Sequence, residues 1–211
     1  MTGSNEFKKI KDSIPLGVNL LAVSKGHKHD SIRKLSGYGQ LDFGESRLQE
    51  AILKKIDLSD LTQLRWHFVG TLQKNKVRRV IKEFDFIHSV DSLPLLERIS
   101  RISQEEQKSP NIFLQVKFIE DPNKGGFLKD ELLKSWSKIT SLKNINLIGL
   151  MTIPPIVLNS FQRKDLFCEC RDFANHLGLK DCSMGMSNDW QEAIQGGATW
   201  IRLGSLLFGK R

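Results

Sequence analysis

The chain has 211 residues, 39% of them hydrophobic, enough for one substantial core and short for two, so a single domain over 1–211 is expected. Its 32 Lys and Arg against 24 Asp and Glu give a net charge of +8, which favours anionic partners such as phosphorylated small molecules, acidic proteins or nucleic acid. Three cysteines, Cys168, Cys170 and Cys182, with no CxxC pair argue against a disulfide framework and a structural zinc site. No apolar run reaches transmembrane length and the first residues lack a signal-peptide pattern, so a cytoplasmic protein without membrane contact is expected.

Residues 6–13 read as a short basic helix stopped by Pro15 and Gly17. Leu20-Leu21-Ala22-Val23-Ser24-Lys25-Gly26 follows, an apolar run ending in a lysine and broken at once by glycine, the pattern of a strand buried on both faces. With a side-chain period of two, Lys25 shares a face with Val23 and Leu21. Desolvation on such a wall would favour the neutral amine, the form that attacks an aldehyde to make a Schiff base; a lysine reaching out to water is the alternative. A weak helix at 30–36 ends at Gly37-Tyr38-Gly39. Leu41 to Glu45 reads as strand, and Leu48, Ile52 and Ile56 mark an amphipathic helix.

The alternation continues. Strands are expected at 64–70, 84–90, 112–118, 147–151, 181–184 and 199–203. Helices are expected at 73–82, from Ser92-Leu93-Pro94 through Ile102, at 130–140, 161–177 and 188–195, with a last segment at 206–211. Loops fall at 121–126 and at Pro154-Pro155. About eight strand and helix pairs in strict order indicate a parallel sheet, and at this length a closed single (β/α)8 TIM barrel, an α/β fold. An open doubly wound sheet ranks second, since no GxGxxG follows the first strand.

In such a barrel the functional face lies at the C-terminal strand ends. Lys25 falls there, with Glu45, His67, His88 and Lys117. So do two glycine- and serine-bearing loops, Ser183-Met184-Gly185-Met186-Ser187-Asn188 and Arg202-Leu203-Gly204-Ser205, after strands seven and eight, where phosphate sites often form. Ordinary turn and cap chemistry also explains either loop alone. Together, a lysine and a phosphate cradle suggest a phosphorylated aldehyde, and pyridoxal 5′-phosphate as cofactor.

The residues Ala22-Val23-Ser24-Lys25, Phe43-Gly44-Glu45 with Gln49-Glu50, Trp66-His67-Phe68-Val69-Gly70 with Leu72 to Lys76, Gly149-Leu150-Met151, Ser183 to Ser187, and Arg202 to Ser205 with Phe208-Gly209 and Arg211 also carry a resemblance. In this order, from about residue 18 to the C-terminus, they resemble the pyridoxal phosphate homeostasis proteins (the YggS or PROSC family). The resemblance implies a barrel similar to the alanine racemase N-terminal domain, with the cofactor on Lys25. It also implies Arg202 facing the pyridine nitrogen and Ser187, Gly204 and Ser205 holding the phosphate, with Met184 and His67 nearby. It further implies a protein that binds and buffers the cofactor with no established catalytic turnover; a monomer that takes part in intracellular vitamin B6 homeostasis is expected, with pyridoxal-dependent apo-enzymes as potential recipients. Ser46 and Lys117 stand where that family usually has Asn, and Gly26-His27-Lys28-His29 is unusual.

Competing readings are weaker. His27 and His29 have metal-compatible spacing but no third ligand nearby in sequence, so no metal is expected. A pyridoxal-dependent racemase or lyase would share the lysine and fold, but needs an acid opposite it, commonly a tyrosine; Tyr38, the one tyrosine, sits in a turn. The basic cluster Lys74, Lys76, Arg78, Arg79 and Lys82 has no interleaved aromatics, so no specific nucleic acid is expected.

Overall fold

Strands and helices alternate along nearly the whole chain, of which a computed structural model describes residues 2–121 and 124–209. Helix α1 (Ser4–Asp12) precedes β1 (Asn19–Val23), α2 (His29–Ser36), β2 (Asp42–Glu45), α3 (Leu48–Asp57) and β3 (Arg65–Phe68). A 3-10 turn (Lys74–Lys76) leads into α4 (Val77–Glu83), then β4 (Phe86–Val90), α5 (Leu93–Glu105) and β5 (Asn111–Lys117). The two-residue β6 (Phe127–Leu128), α6 (Lys129–Ser141), β7 (Asn146–Met151), α7 (Ser160–His176) and β8 (Asp181–Met186) follow. The order closes with α8 (Trp190–Gln195), β9 (Trp200–Leu203) and α9 (Ser205–Phe208). Pro122 and Asn123 of the expected 121–126 loop, and Lys210 and Arg211 of the last segment, lie outside the described residues.

The strands pair in the order β4-β3-β2-β1-β9-β8-β7-β5-β6, and a further β4–β5 pairing closes all but β6 into a ring. The ring's pairings are all parallel. This is the expected (β/α)8 barrel; β6, appended to β5, is too short to show a period. No helix among the described residues is long and apolar enough to cross a membrane.

Period two divides the barrel into an outer and an inner layer. Leu20, Ala22, Phe43, Trp66, Ile87, Ile112, Cys182 and Ile201 face outward into the main core beneath the helices. Leu21, Val23, Phe113, Met151 and Trp200 form a separate cluster inside. Each such side chain removed from water is worth about 1.5–3 kcal/mol. The inner layer is unusual in also burying polar groups: His67, His88 and Ser183 are 0% exposed, and Arg202 only 5%.

Helix α3 departs from the expected stripe. Its buried positions are Leu48, Ala51 and Lys54, while Ile56 is exposed. A lysine takes the inward place because two carboxylates meet it there, which hydrophobic periodicity does not register.

Candidate functional site

The chain leaves β1 through a tight turn, closed by a hydrogen bond from the His27 N–H to the Ser24 carbonyl at 3.0 Å. Gly26 supplies the positive φ of +78° that the third position of such a turn requires. Lys25 occupies this turn at the barrel mouth and is exposed. That corrects the reading of a lysine desolvated on the strand. The predicted face is correct for its neighbours, since Leu21 and Val23 point into the barrel.

A buried charge cluster anchors the turn from below. Lys54 Nζ donates to the Ser24 carbonyl at 2.8 Å, to Glu45 Oε1 at 2.6 Å and to Glu50 Oε1 at 2.7 Å. The Ser24 hydroxyl donates to Glu45 Oε1 at 2.7 Å, and the Gly26 N–H donates to Glu50 Oε1 at 2.5 Å. Burial lifts the Glu45 carboxyl above the ordinary value despite its bonds from Lys54 and Ser24. Partial burial would also raise Glu50, but bonds from Lys54 and the Gly26 N–H outweigh it and bring that group below the ordinary value.

Across the mouth, β8 and β9 deliver the two serine-bearing loops. The Gly204 N–H donates to Ser187 Oγ at 3.3 Å, tying the loops together. Met186 N–H is held at 2.6 Å by Oδ1 of the buried Asp189. Arg202, inside the barrel below these loops, donates from Nη1 to Ser183 Oγ at 2.8 Å and from Nη2 to the Thr152 carbonyl at 3.1 Å. Burial draws its pKa down to about 10, partly offset by Asp189, which leaves the guanidinium charged at neutral pH.

Lys25, Ser187, Arg202, Gly204 and Ser205 all line one cavity of about 590 Å³ at the C-terminal strand ends. Val23, Val69, Ile153, Pro154 and Ile156 supply its apolar walls. His67 and Met184 are not among its described lining residues. His67 is buried lower in the barrel, stacked on Phe86 at 4.1 Å, and Met184 faces outward into the main core; Met186, two residues on, lines the cavity instead. Neither Ser46 nor Lys117 is among the described residues that line the cavity. The histidine pair separates: His27 stacks on Phe208 at 5.0 Å beside the cavity, while His29 meets Asp30 and Asp57. Part of the basic cluster is neutralised, Arg78 by Glu105 and Glu106 and Lys82 by Glu106.

Thr152 was expected at a strand end on the functional face, without a role, while sequence reasoning missed Lys54 and Asp189. Only Lys54 carried a signal, its i+4 spacing from Glu50.

The donor set fits a phosphorylated aldehyde: a primary amine, two hydroxyls, a buried guanidinium and a glycine whose missing Cβ keeps the wall open. A Cβ on Gly204 would stand 3.3 Å from the Val23 carbonyl oxygen, inside the space between the lysine strand and the serine loops. A closed parallel barrel with this mouth is a barrel of the alanine racemase N-terminal type, and residues 4–211 match the family described as alanine racemase, N-terminal domain.

The pyridoxal phosphate homeostasis protein of Synechocystis sp. is 41% identical over 217 residues, with 100% of both chains covered. This chain belongs to the pyridoxal phosphate homeostasis protein family. Among solved structures, PipY of Synechococcus elongatus without PLP superposes with a TM-score of 0.96 at 43% identity, over 98% of this chain and 99% of that one. The same protein with PLP bound gives 0.94 at 41% identity, with the same coverage.

Proposed function

We propose that this protein binds pyridoxal 5′-phosphate in the cavity at the barrel mouth and takes part in intracellular vitamin B6 homeostasis without catalytic turnover. The observation that carries this reading is the convergence of Lys25, Ser187, Arg202, Gly204 and Ser205 on one cavity. In the proposed arrangement Lys25 holds the aldehyde carbon, while Ser187, Gly204 and Ser205 receive the phosphate. Arg202 meets the ring nitrogen as a hydrogen-bond donor. When bound, the cofactor supplies an electron sink for reactions of amino acids. The apolar walls restrict water around the ring, and the Lys54 cluster holds the Lys25 turn in place. PipY, whose structure with PLP bound this fold matches, supports the assignment of the ligand. We take the working unit to be a cytoplasmic monomer that exchanges cofactor with apo-enzymes.

The test is covalent. Protein loaded with pyridoxal phosphate should show a visible absorption band, and borohydride should fix the cofactor's mass on Lys25. Lys25→Ala should lose both while keeping its circular dichroism. Label on another lysine, or a colourless protein in excess cofactor, would overturn the reading.

A further inference from the structure

Polar side chains run in single file through the barrel interior, from the cavity toward the N-terminal ends of the strands. Arg202 Nη1 meets Ser183 Oγ at 2.8 Å, and Ser183 Oγ meets His88 Nδ1 at 2.8 Å. His88 Nε2 lies 3.0 Å from His67 Nδ1, and His67 Nε2 lies 3.0 Å from Asp42 Oδ1. Arg65, at the start of β3, closes the file by gripping Asp42 through Nε at 2.7 Å and Nη2 at 2.6 Å. Aromatic rings wall it in: Phe86 stacks on His67, Phe113 stacks on His88 at 4.3 Å, and Trp200 packs against both histidines.

The ends dictate the direction of every bond between them. A guanidinium only donates, an ionised carboxylate only accepts, and a neutral imidazole does one of each. Burial holds His67 and His88 below the ordinary histidine value, so both rings are neutral at pH 7. Arg202 therefore donates to Ser183, Ser183 to His88 Nδ1, His88 Nε2–H to His67 Nδ1, and His67 Nε2–H to Asp42. The opposite sense would turn a lone pair of His67 toward the Asp42 carboxylate. It would also leave the Ser183 proton without an acceptor, and a buried orphan of that kind is costly.

We infer that Asp42, His67, His88 and Ser183 form a one-way hydrogen-bond chain that positions Arg202. It holds the guanidinium in one orientation and thereby fixes which N–H groups face a ligand in the cavity. Asp42 and His67 act from below the cavity and touch no ligand; they are positioning residues. The chain is a property of the protein alone. Only its effect on ligand affinity rests on the proposed binding of pyridoxal phosphate.

The test begins without ligand. Nitrogen-15 NMR at pH 7 should show His67 and His88 both as neutral Nε2–H tautomers, with slowly exchanging guanidinium protons on Arg202. In His67→Phe, which keeps a ring on Phe86, the His88 Nε2–H loses its acceptor. His88 should then shift toward the Nδ1–H tautomer, and exchange at Arg202 should accelerate. A role in packing alone would leave both signals unchanged. Ser183→Ala cuts the chain at the other end without adding volume and should also accelerate exchange at Arg202. An Nδ1–H tautomer at either histidine of the unaltered protein, or unchanged Arg202 exchange in a folded variant, would overturn the inference.

With ligand, both variants should bind pyridoxal phosphate about tenfold more weakly, the loss expected when one charge-assisted contact is misaligned. Affinity for inorganic phosphate should stay the same, because Ser187 and Ser205 are untouched. Unaltered affinity for pyridoxal phosphate in both variants would remove the chain's role toward the ligand. Failure of the unaltered protein to bind pyridoxal phosphate would instead strike the proposed function and leave the NMR arms decisive for the chain.

Discussion

Lys54 Nζ lies 2.6 Å from Glu45 Oε1, and both side chains are buried beneath the turn that carries Lys25. All three ammonium protons have acceptors, in Ser24, Glu45 and Glu50, so helix α3 and the end of β1 are joined by one cation. The other oxygen of Glu45 is buried with no hydrogen-bond partner among the described residues, so Glu45 depends on Lys54 for much of its compensation.

Removing that cation should be expensive. Lys54→Met strands a buried carboxylate and frees the Lys25 turn, and we expect a loss of about 3 kcal/mol or more in unfolding free energy at pH 7. Urea titration measures it. Because the penalty comes from the stranded charge, Lys54→Met with Glu45→Gln should be more stable than Lys54→Met alone. A double variant no better than the single would show that Lys54 contributes through packing instead.

The phosphate cradle makes a separate prediction. Ser187→Ala and Ser205→Ala should each weaken retention of pyridoxal phosphate by about 1–3 kcal/mol, the range for a hydrogen bond to a charged group. Equilibrium dialysis with pyridoxal as the control reads it. Pyridoxal should bind far more weakly than its phosphate and be indifferent to both substitutions. Equal affinity for the two ligands would show that these loops hold no phosphate.

Much of this site was legible before any coordinates, for a physical reason. A parallel strand buried on both faces writes itself as an apolar run, and the functional end of a barrel strand is the residue after that run. Lys25 is found that way, and so are the loops bearing Ser187, Gly204 and Ser205 after β8 and β9, whereas Arg202 lies within β9 and was singled out by the family resemblance. Met184 was misplaced relative to the cavity because β8 runs on to Met186, and alternation turns Met184 toward the helices. Lys54 was hidden because its inward position on α3 is sustained by Glu45, which lies on another element. The pairing of His88 with Ser183 joins residues 95 apart in sequence. No local pattern encodes it; it arises when β4 and β8 face each other across the closed barrel.

The buried histidines set the pH dependence. Both are held below the ordinary value, chiefly by burial; Asp42 and Asp85 oppose the shift at His67, with Arg65 adding to it. At His88, charge on His67 and Arg202 adds to burial. In the unfolded chain each titrates near pH 6.5. Above that value neither state takes up the proton, and the contribution to stability is complete. As pH falls below it, the unfolded chain protonates first and stability declines, by at most about 1.4 kcal/mol per pH unit for each histidine. Asp42 adds a second loss at lower pH. Bonds from His67 and Arg65 hold it below the ordinary carboxylate value despite its burial, so its contribution disappears as pH falls below about 4. Urea midpoints should therefore be lower at pH 5.5 than at 7.5. The difference should shrink in His67→Phe, and an undiminished difference in that variant would place the titrating groups elsewhere.

The last prediction separates a carrier from an enzyme. Enzymes that use this cofactor as a strong electron sink commonly place a carboxylate beside the ring nitrogen, which keeps that nitrogen protonated. Here the group assigned to that place is Arg202, which remains charged at neutral pH and can only donate. In that place it would leave the ring nitrogen without a proton and the sink weak. Racemisation would also need an acid opposite Lys25. The sole tyrosine, Tyr38, packs against Phe7 with ring centroids 6.0 Å apart and is not among the described residues lining the cavity. Asp189 does line it, but its Oδ1 is engaged by the Met186 N–H. Loaded protein supplied with amino acids in deuterated water should exchange the α-hydrogen no faster than free pyridoxal phosphate does, as followed by proton NMR. Fast exchange that vanishes in Lys25→Ala would establish an enzyme, and the carrier reading would fall.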